Sequence, residues 1–349
     1  MAEDRVGWVD YGKGICIILV VMMHSTLNYG EMVHAEGWMH HVVEFARPFR
    51  MPDFFLIAGL FLSRSIHGPL LDFIDRKVIH FAYFYVLWVI IQTLFFEAGG
   101  LLSDPVSVGG LVLWQMVVPL SSLWFIHQLA VFYVLTRLLR NVPVAAVFAG
   151  AALLHLAHYA GAIDTGWSVT NRVANWYVFF YAGYAFAPFI FRLARLVARS
   201  WQVALAGLLA WAVWNFEIVS QGWSDLPGVS LLLGFAGAFA IVTVAALLDR
   251  FNIGQALRYA GKHSIVIYLT FFIPMKVAQK GLAATGLIPD VGTASLVILC
   301  IAVVSPLIFH RVIRRTPLRV LYERPAYLRL GGRKQAKPVA GSLGDARAS

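Results

Sequence analysis

Long apolar segments alternate with short polar ones along most of the chain, and this alternation predicts membrane-spanning helices. A helix needs roughly 20 apolar residues to cross about 30 Å of hydrocarbon. Ten segments approach that length, although the second, fourth and ninth are short or contain proline. They are residues 12–27, 51–66, 78–96, 123–139, 142–159, 174–191, 203–219, 229–248, 264–277 and 294–313. The apolar stretch 107–120 is interpreted as interfacial.

The composition agrees with this pattern. Of the 349 residues, 60% are hydrophobic and 13% are charged, which is about half the charged fraction of a soluble domain. A water-soluble fold of this length has too little interior to bury so much apolar surface. We therefore predict an all-α integral membrane protein with about ten transmembrane helices. The first apolar segment has no small-residue cleavage site after it, so we expect a retained helix and not a signal peptide.

The positive charges predict the topology. With a cytoplasmic N-terminus and ten spans, 23 of the 28 Lys and Arg residues fall on the cytoplasmic side. This agrees with the general excess of Lys and Arg in cytoplasmic loops. Both termini are then cytoplasmic. Because the basic residues do not form one stripe, the net charge of +10 does not indicate a nucleic-acid partner. The chain divides into a membrane domain, 1–315, and a basic cytoplasmic tail, 316–349, expected to be disordered.

One histidine in the first apolar segment is the strongest indication of chemistry. An ionisable side chain inside a membrane span is costly, so such residues usually face the bundle interior and are functional. Lys13 precedes His24 by eleven residues, which puts both on one helix face about 16.5 Å apart. A cation below a buried base suits an anionic donor that enters from the cytoplasm. Alternatively, His24 hydrogen-bonds a neighbouring helix and Lys13 is a snorkelling anchor.

The residues around this pair resemble the opening motif of the acyltransferase family 3 membrane proteins. Asp10, then Lys13 followed by glycine, then His24 match an acidic residue, a basic residue and a histidine in that family. Many members have Arg where this chain has Lys13. Three further blocks resemble the family in the same order along the chain. They are 52–59 (PDFFLIAG), 123–126 (LWFI) and 261–264 (GKHS) with Tyr268-Leu269.

Two positions depart from the family pattern. Ala58 replaces a serine, so a hydroxyl is lost from the second span. Thr270 and Phe271 follow Tyr268-Leu269, where members often have a second histidine. These departures, together with Lys13 in place of arginine, leave open the alternative that the protein is a catalytically inactive sensor.

The resemblance implies a fold of about ten spans and transfer of acyl groups, often acetyl from acetyl-CoA, to sugars of surface polysaccharides and related acceptors. We therefore expect a multi-pass inner-membrane O-acyltransferase with acyl-CoA as co-substrate and a carbohydrate or glycolipid acceptor. His24 is the predicted general base, because a sugar hydroxyl must lose its proton as it attacks a thioester. No bound cofactor and no metal are expected. The alternative is a transporter of a lipid-linked or acidic solute, with His24 as a proton relay.

Four residues on the predicted cytoplasmic side are candidates for binding the acyl donor. Lys13 is expected to hold its phosphates, and Asp10, one turn earlier, to orient Lys13. Arg76 and Lys77 precede the third span and are predicted to contact the same phosphates. The alternatives are a surface ion pair for Asp10 and ordinary positive-inside placement for Arg76 and Lys77.

Three residues near the predicted outer side are candidates for binding the acceptor. Arg47 and Arg50 lie just before the second span, where positive charge is otherwise scarce. Trp124 offers a flat surface for a sugar. Interface anchoring explains the arginines equally well, and an aromatic belt explains Trp124. Asp53 is expected near a helix end, in contact with water.

Overall fold

The computed structural model describes residues 6–119 and 122–330, and every regular element among them is helical. A π-helical turn, Asp75–Ile79, joins α5 to α6, and short 3-10 turns occur at Trp223–Asp225, Pro317–Leu321 and Ala326–Leu328. The α-helices are α1 (Gly7–Val33), α2 (Trp38–Ala46), α3 (Arg50–Gly59), α4 (Ser63–Ile66), α5 (Leu70–Ile74), α6 (His80–Phe96), α7 (Ala98–Ser103), α8 (Pro105–Val117), α9 (Trp124–Leu138), α10 (Val144–Tyr159), α11 (Ser168–Ala185), α12 (Ala187–Arg199), α13 (Trp201–Ser220), α14 (Pro227–Phe251), α15 (Gln255–Lys262), α16 (Ser264–Thr270), α17 (Phe272–Thr285) and α18 (Val291–Ile313).

Several of these helices are long and apolar enough to cross a membrane. Five qualify in the described residues, and two bent helix pairs raise the number to seven if each pair is one span. The pairs are α11 with α12, bent by 74°, and α16 with α17, bent by 53°. The prediction of an all-helical membrane protein is confirmed. The count of ten spans and the cytoplasmic position of the termini stay predictions.

The predicted sixth segment, 174–191, does not form one continuous helix. Helix α11 ends at Ala185, and α12 starts at Ala187 with Pro188 in its first turn. Proline fits the first turn of a helix, where its missing N–H is not needed, but it would remove a hydrogen bond from the interior of a helix continued from α11. A new helix therefore starts here, and the chain bends. In α12 the side chains of Ile190, Ala194 and Val197 are buried, at the spacing of one helix face. Helix α12 is therefore amphipathic and is not simply the end of a span.

Close backbone contacts bring α1 against α15. A Cβ atom at Gly14 would overlap the carbonyl oxygen of Leu257, and one at Gly261 would overlap that of Asp10. Glycines allow this approach because they have no side chain, as is common between membrane helices. The N-terminal end of α1, with Asp10 and Lys13, consequently lies beside the end of α15.

Part of the predicted tail is folded. Residues 316–330, which we call the C-terminal strap, contain two 3-10 turns, and Tyr322 and Arg324 in the strap are 8% and 6% exposed. A basic, polar composition alone predicts disorder, but here the cation is buried in a pair with Asp75, at 2.6 Å. Residues 331–349 lie outside the described part of the chain, so disorder there and the boundary at 315 stay predictions.

Candidate functional site

A cavity of about 440 Å³ opens at the N-terminal end of α1. Its described lining includes four basic side chains, Lys13, Arg64, Lys77 and Lys262, and one acidic side chain, Asp10. We call it the cationic cavity. A concave site lined mainly by one sign of charge attracts ligands of the opposite sign, and phosphate groups are natural ligands of Lys and Arg.

The basic residues of the cationic cavity come from separate parts of the chain. Lys13 lies one turn after Asp10 on α1, and Lys262 follows Gly261, which packs against the Asp10 backbone. Lys77 lies in the π turn, with its Nζ 4.8 Å from the centre of the Tyr133 ring. Such contacts between a cation and a ring face are attractive and orient the long side chain.

The inner wall of the cavity is aromatic. The rings of Phe54 and Phe125 stack with their centres 4.1 Å apart. The Tyr268 hydroxyl donates to the Ser122 carbonyl at 2.7 Å and accepts from the Phe125 N–H at 3.2 Å. Ala58 also lines the cavity, so a methyl group occupies the place where the family pattern has a hydroxyl. The cavity thus combines a charged mouth with an apolar interior.

His24 lies farther along α1 and is not among the described residues that line the cavity. Its imidazole is half-buried, 5.7 Å from the Phe271 ring and 6.2 Å from the Phe272 ring, measured between centres. The buried Gln279 amide donates to the His24 carbonyl at 3.3 Å and to the Ser25 carbonyl at 3.2 Å. Gln279 therefore fixes this part of α1 against α17. Phe271, which occupies the region where many family members have a second histidine, contacts His24 directly.

Two cations lie near the His24 imidazole. Arg50, at the start of α3, and Lys276, in α17, both act on it electrostatically. The Arg50 guanidinium donates to the Val43 carbonyl at 3.5 Å. Together these charges favour a negative group placed beside the imidazole.

A buried carboxyl lies between His24 and the cationic cavity. Asp53 is 1% exposed, so the expectation that it contacts water is wrong. It lies in the first turn of α3, whose N-terminal end is inside the bundle and not at its surface. The Cys16 thiol and the Phe54 N–H approach its carboxyl group, but neither carboxyl oxygen has a well-aligned hydrogen bond among the described residues.

Arg76 and Lys77 were predicted to share one role, but their side chains point in different directions. Lys77 lines the cationic cavity, as do Lys13 and Asp10. Arg76 is exposed and is absent from the described lining. The roles of all four residues in donor binding stay predictions.

The three predicted acceptor residues are not gathered at one point. Arg47 forms ion pairs with Glu44 and Asp225, whereas Arg50 lies near His24. Trp124 is half-buried, with the Arg172 guanidinium 4.6 Å from its ring centre. Of the three, Arg50 acts electrostatically on the predicted base.

Sequence reasoning missed several residues of this region. Arg64, Lys262 and Lys276 enter the sequence analysis only through the count of positive charges that predicts the topology, and none of the three is predicted there to bind a ligand. A signal for Lys262 was available, because it lies in the block 261–264, which resembles the family as the residues around Lys13 do. No group of three or more His, Cys, Asp or Glu side chains in 6–119 and 122–330 is arranged to hold a metal ion.

Comparisons with known proteins agree with the motif resemblance. The model of an acyltransferase domain, that of acyltransferase family 3, matches residues 6–311. A similar curated protein is the inner membrane protein YcfT of Escherichia coli (strain K12), 24% identical over 315 residues that cover 79% of this chain and 82% of the relative. No solved structure matches the chain.

Proposed function

Because the chain belongs to acyltransferase family 3, we propose that it transfers an acyl group, with acetyl expected, from cytoplasmic acyl-CoA to a hydroxyl of a carbohydrate or another cell-envelope acceptor. The inner membrane is the proposed location, in line with the name of the similar Escherichia coli protein.

The convergence of basic residues at the cationic cavity carries this proposal. Lys13, Arg64, Lys77 and Lys262 are far apart in sequence and line one cavity. All four belong to segments that the charge distribution predicts to be cytoplasmic. Their combined charge suits the phosphates of coenzyme A, and the aromatic interior suits the less polar arm of the donor. The thioester would then extend along α1 and α3 towards His24.

The proposed chemistry at His24 is general base catalysis. The imidazole takes the proton of the acceptor hydroxyl while the hydroxyl oxygen forms a bond to the acyl carbon. The bond between the acyl carbon and the sulfur of coenzyme A then breaks. The proton passes to the departing thiolate, which leaves as the free thiol of coenzyme A. Such a base accelerates transfer by about 10²–10⁴-fold.

Arg50 and Lys276 have a role in the same step. The attack creates a negative oxygen on the acyl carbon, and fixed positive charges beside it lower the energy of that state. Both side chains act electrostatically on His24, so an oxyanion formed beside the imidazole would lie within their influence.

Direct binding and turnover test the proposal separately. Purified protein in detergent should bind coenzyme A and should release its thiol from acetyl-CoA only when a carbohydrate or envelope extract is added. Lys13→Ala should weaken binding, whereas Lys280→Ala, an exposed lysine away from the cavity, should not. Absence of donor binding by the wild type would refute the proposal and favour the transporter alternative. The acceptor would be identified by mass spectrometry of glycans and glycolipids from a deletion strain and its parent.

A further inference from the structure

The C-terminal strap lies just beyond the residues matched by the family model, 6–311, and is hydrogen-bonded to α6 at two consecutive residues. The Tyr83 hydroxyl donates to the Val320 carbonyl at 2.8 Å, and the Trp88 indole N–H donates to the Leu321 carbonyl at 3.0 Å. The Tyr322 hydroxyl forms a hydrogen bond with Thr270 of α16. The strap is therefore attached to two elements that border the cationic cavity.

The end of the strap is held by a single acidic residue. Arg324 donates from Nη2 to the Asp75 carboxylate at 2.6 Å and from Nη1 to the Asp75 carbonyl oxygen at 2.9 Å. The Leu330 N–H donates to the other carboxylate oxygen at 2.8 Å. The two side chains are 4% and 11% exposed. Removing one partner of so buried a pair destabilises the fold far more than breaking a surface ion pair does, because the other charge stays buried without a counter-charge.

Asp75 also begins the π turn. Its carbonyl oxygen accepts the His80 N–H, the bond between residues five apart that defines this turn, and it accepts the Arg324 guanidinium as well. Single π turns are uncommon and are often found at functional sites. A second donor on this carbonyl stabilises the wide turn against the ordinary helical pattern, as an inserted side chain does at helix distortions.

Within this turn, three consecutive side chains point to three different surroundings. Asp75 faces the strap, Arg76 is exposed, and Lys77 lines the cationic cavity over the Tyr133 ring. Return of the turn to α-helix removes one inserted residue, which rotates side chains on one side of it by about 100° relative to the other side. Lys77 would then no longer point into the cavity.

We propose that Arg324 and Asp75 are positioning residues for the donor site: the C-terminal strap locks the π turn and thereby holds Lys77 towards the donor phosphates. This inference rests on the proposed function. It predicts that the strap acts on donor affinity and not on the chemical step, because the strap contacts α6, α16, α18 and the π turn but, among the described residues, not His24 itself.

The test combines Arg324→Met with Lys77→Ala. Dissociation constants for coenzyme A and kinetic constants for acetyl-CoA are measured in detergent, on protein checked for folding by its thermal transition. Arg324→Met should weaken binding about tenfold, the loss expected for one charge-assisted contact, and kcat should stay within about twofold of wild type. Adding Arg324→Met to Lys77→Ala should weaken binding no further, because residues that act through one contact are not additive. Arg324→Lys, which keeps the charge but not the planar fork, should recover part of the affinity.

A matched control and a second variant keep the result decisive. Arg319→Met removes an exposed arginine of the same strap and should leave binding unchanged. If Arg324→Met does not fold, Asp75→Asn decides by the same criteria. The proposal is overturned if Lys77→Ala weakens donor binding but the strap variants do not, or if their effects multiply with that of Lys77→Ala. Failure of the wild type to bind coenzyme A, or an unchanged affinity in Lys77→Ala, would instead remove the donor-site assignment on which the inference rests.

Discussion

Replacement of His24 by glutamine tests the proposed base most directly. Glutamine keeps a hydrogen-bond donor and acceptor of similar reach but cannot take a proton at neutral pH. In the described part of the chain the His24 side chain makes no hydrogen bond, and its ring packs near the rings of Phe271 and Phe272. A purely structural histidine at this position would therefore contribute through those contacts alone.

The two interpretations predict effects on different quantities. Loss of the two ring contacts costs about 0.5–1.5 kcal/mol each in folding stability and leaves the rate per folded molecule nearly unchanged. Loss of a general base costs about 3–5 kcal/mol in transition-state stabilisation, a rate decrease of about 10²–10⁴-fold. The assay is release of coenzyme A thiol from acetyl-CoA at saturating donor, divided by the amount of folded protein.

His155 provides a matched control for this variant. It is 1% exposed, and its ring nitrogens bond the Asn175 carbonyl at 2.7 Å and the Ser230 hydroxyl at 3.0 Å, so its role is structural. His155→Gln should lower the thermal transition but keep most of the rate. A His24→Gln protein that retains more than about a tenth of the wild-type rate contradicts the base assignment.

Three further predictions concern the donor site, helix packing and topology. Lys13→Ala should raise the KM for acyl-CoA about tenfold and Lys13→Arg should keep or lower it; a normal KM in Lys13→Ala would leave Lys13 as an anchor. Gly261→Ala puts a methyl group against the Asp10 carbonyl and should lower the free energy of unfolding by about 1–3 kcal/mol. Gly281→Ala, where the space is open, should leave it unchanged. Equal thermal transitions of the two variants would contradict the close packing of α1 and α15. Reporter fusions after Arg140 and Arg199 should report the cytoplasm and those near Asp104 and Asp225 the outside; the same side for Asp104 and Arg140 would refute the charge-based topology.

The local features were predictable because they depend on neighbouring residues. The apolar segment around His24 predicts a helix, and the eleven-residue spacing of Lys13 and His24 follows from helix geometry. The bend before α12 has a local cause in Pro188, although the predicted segment ran through it. The burial of Asp53 was missed because it depends on where α3 begins, and a short helix that starts inside the bundle has no distinct sequence pattern.

The assembly of the cationic cavity was not predictable from charge positions alone. Arg64 and Lys262 lie in segments predicted to be cytoplasmic, where positive charge is expected for topology whatever its function. The positive-inside rule therefore makes the residues of a candidate binding site indistinguishable, in sequence, from residues that only set the topology. The two explanations separate only in three dimensions, when the side chains are seen to line one cavity.

The distance between the cationic cavity and His24 bears on how the donor and the acceptor would meet. Lys13 and His24 are three helical turns apart on α1, about 16.5 Å along its axis, so one helix sets the distance between the proposed phosphate site and the proposed base. In the proposed reaction, the flexible arm of a donor held at the cavity has to span this distance to bring the acyl group to His24. We propose that the acceptor approaches His24 from the side of Arg50 and Lys276, the two cations that act electrostatically on the imidazole. In this proposal the length of α1 between Lys13 and His24 separates the site of the donor phosphates from the site of acyl transfer.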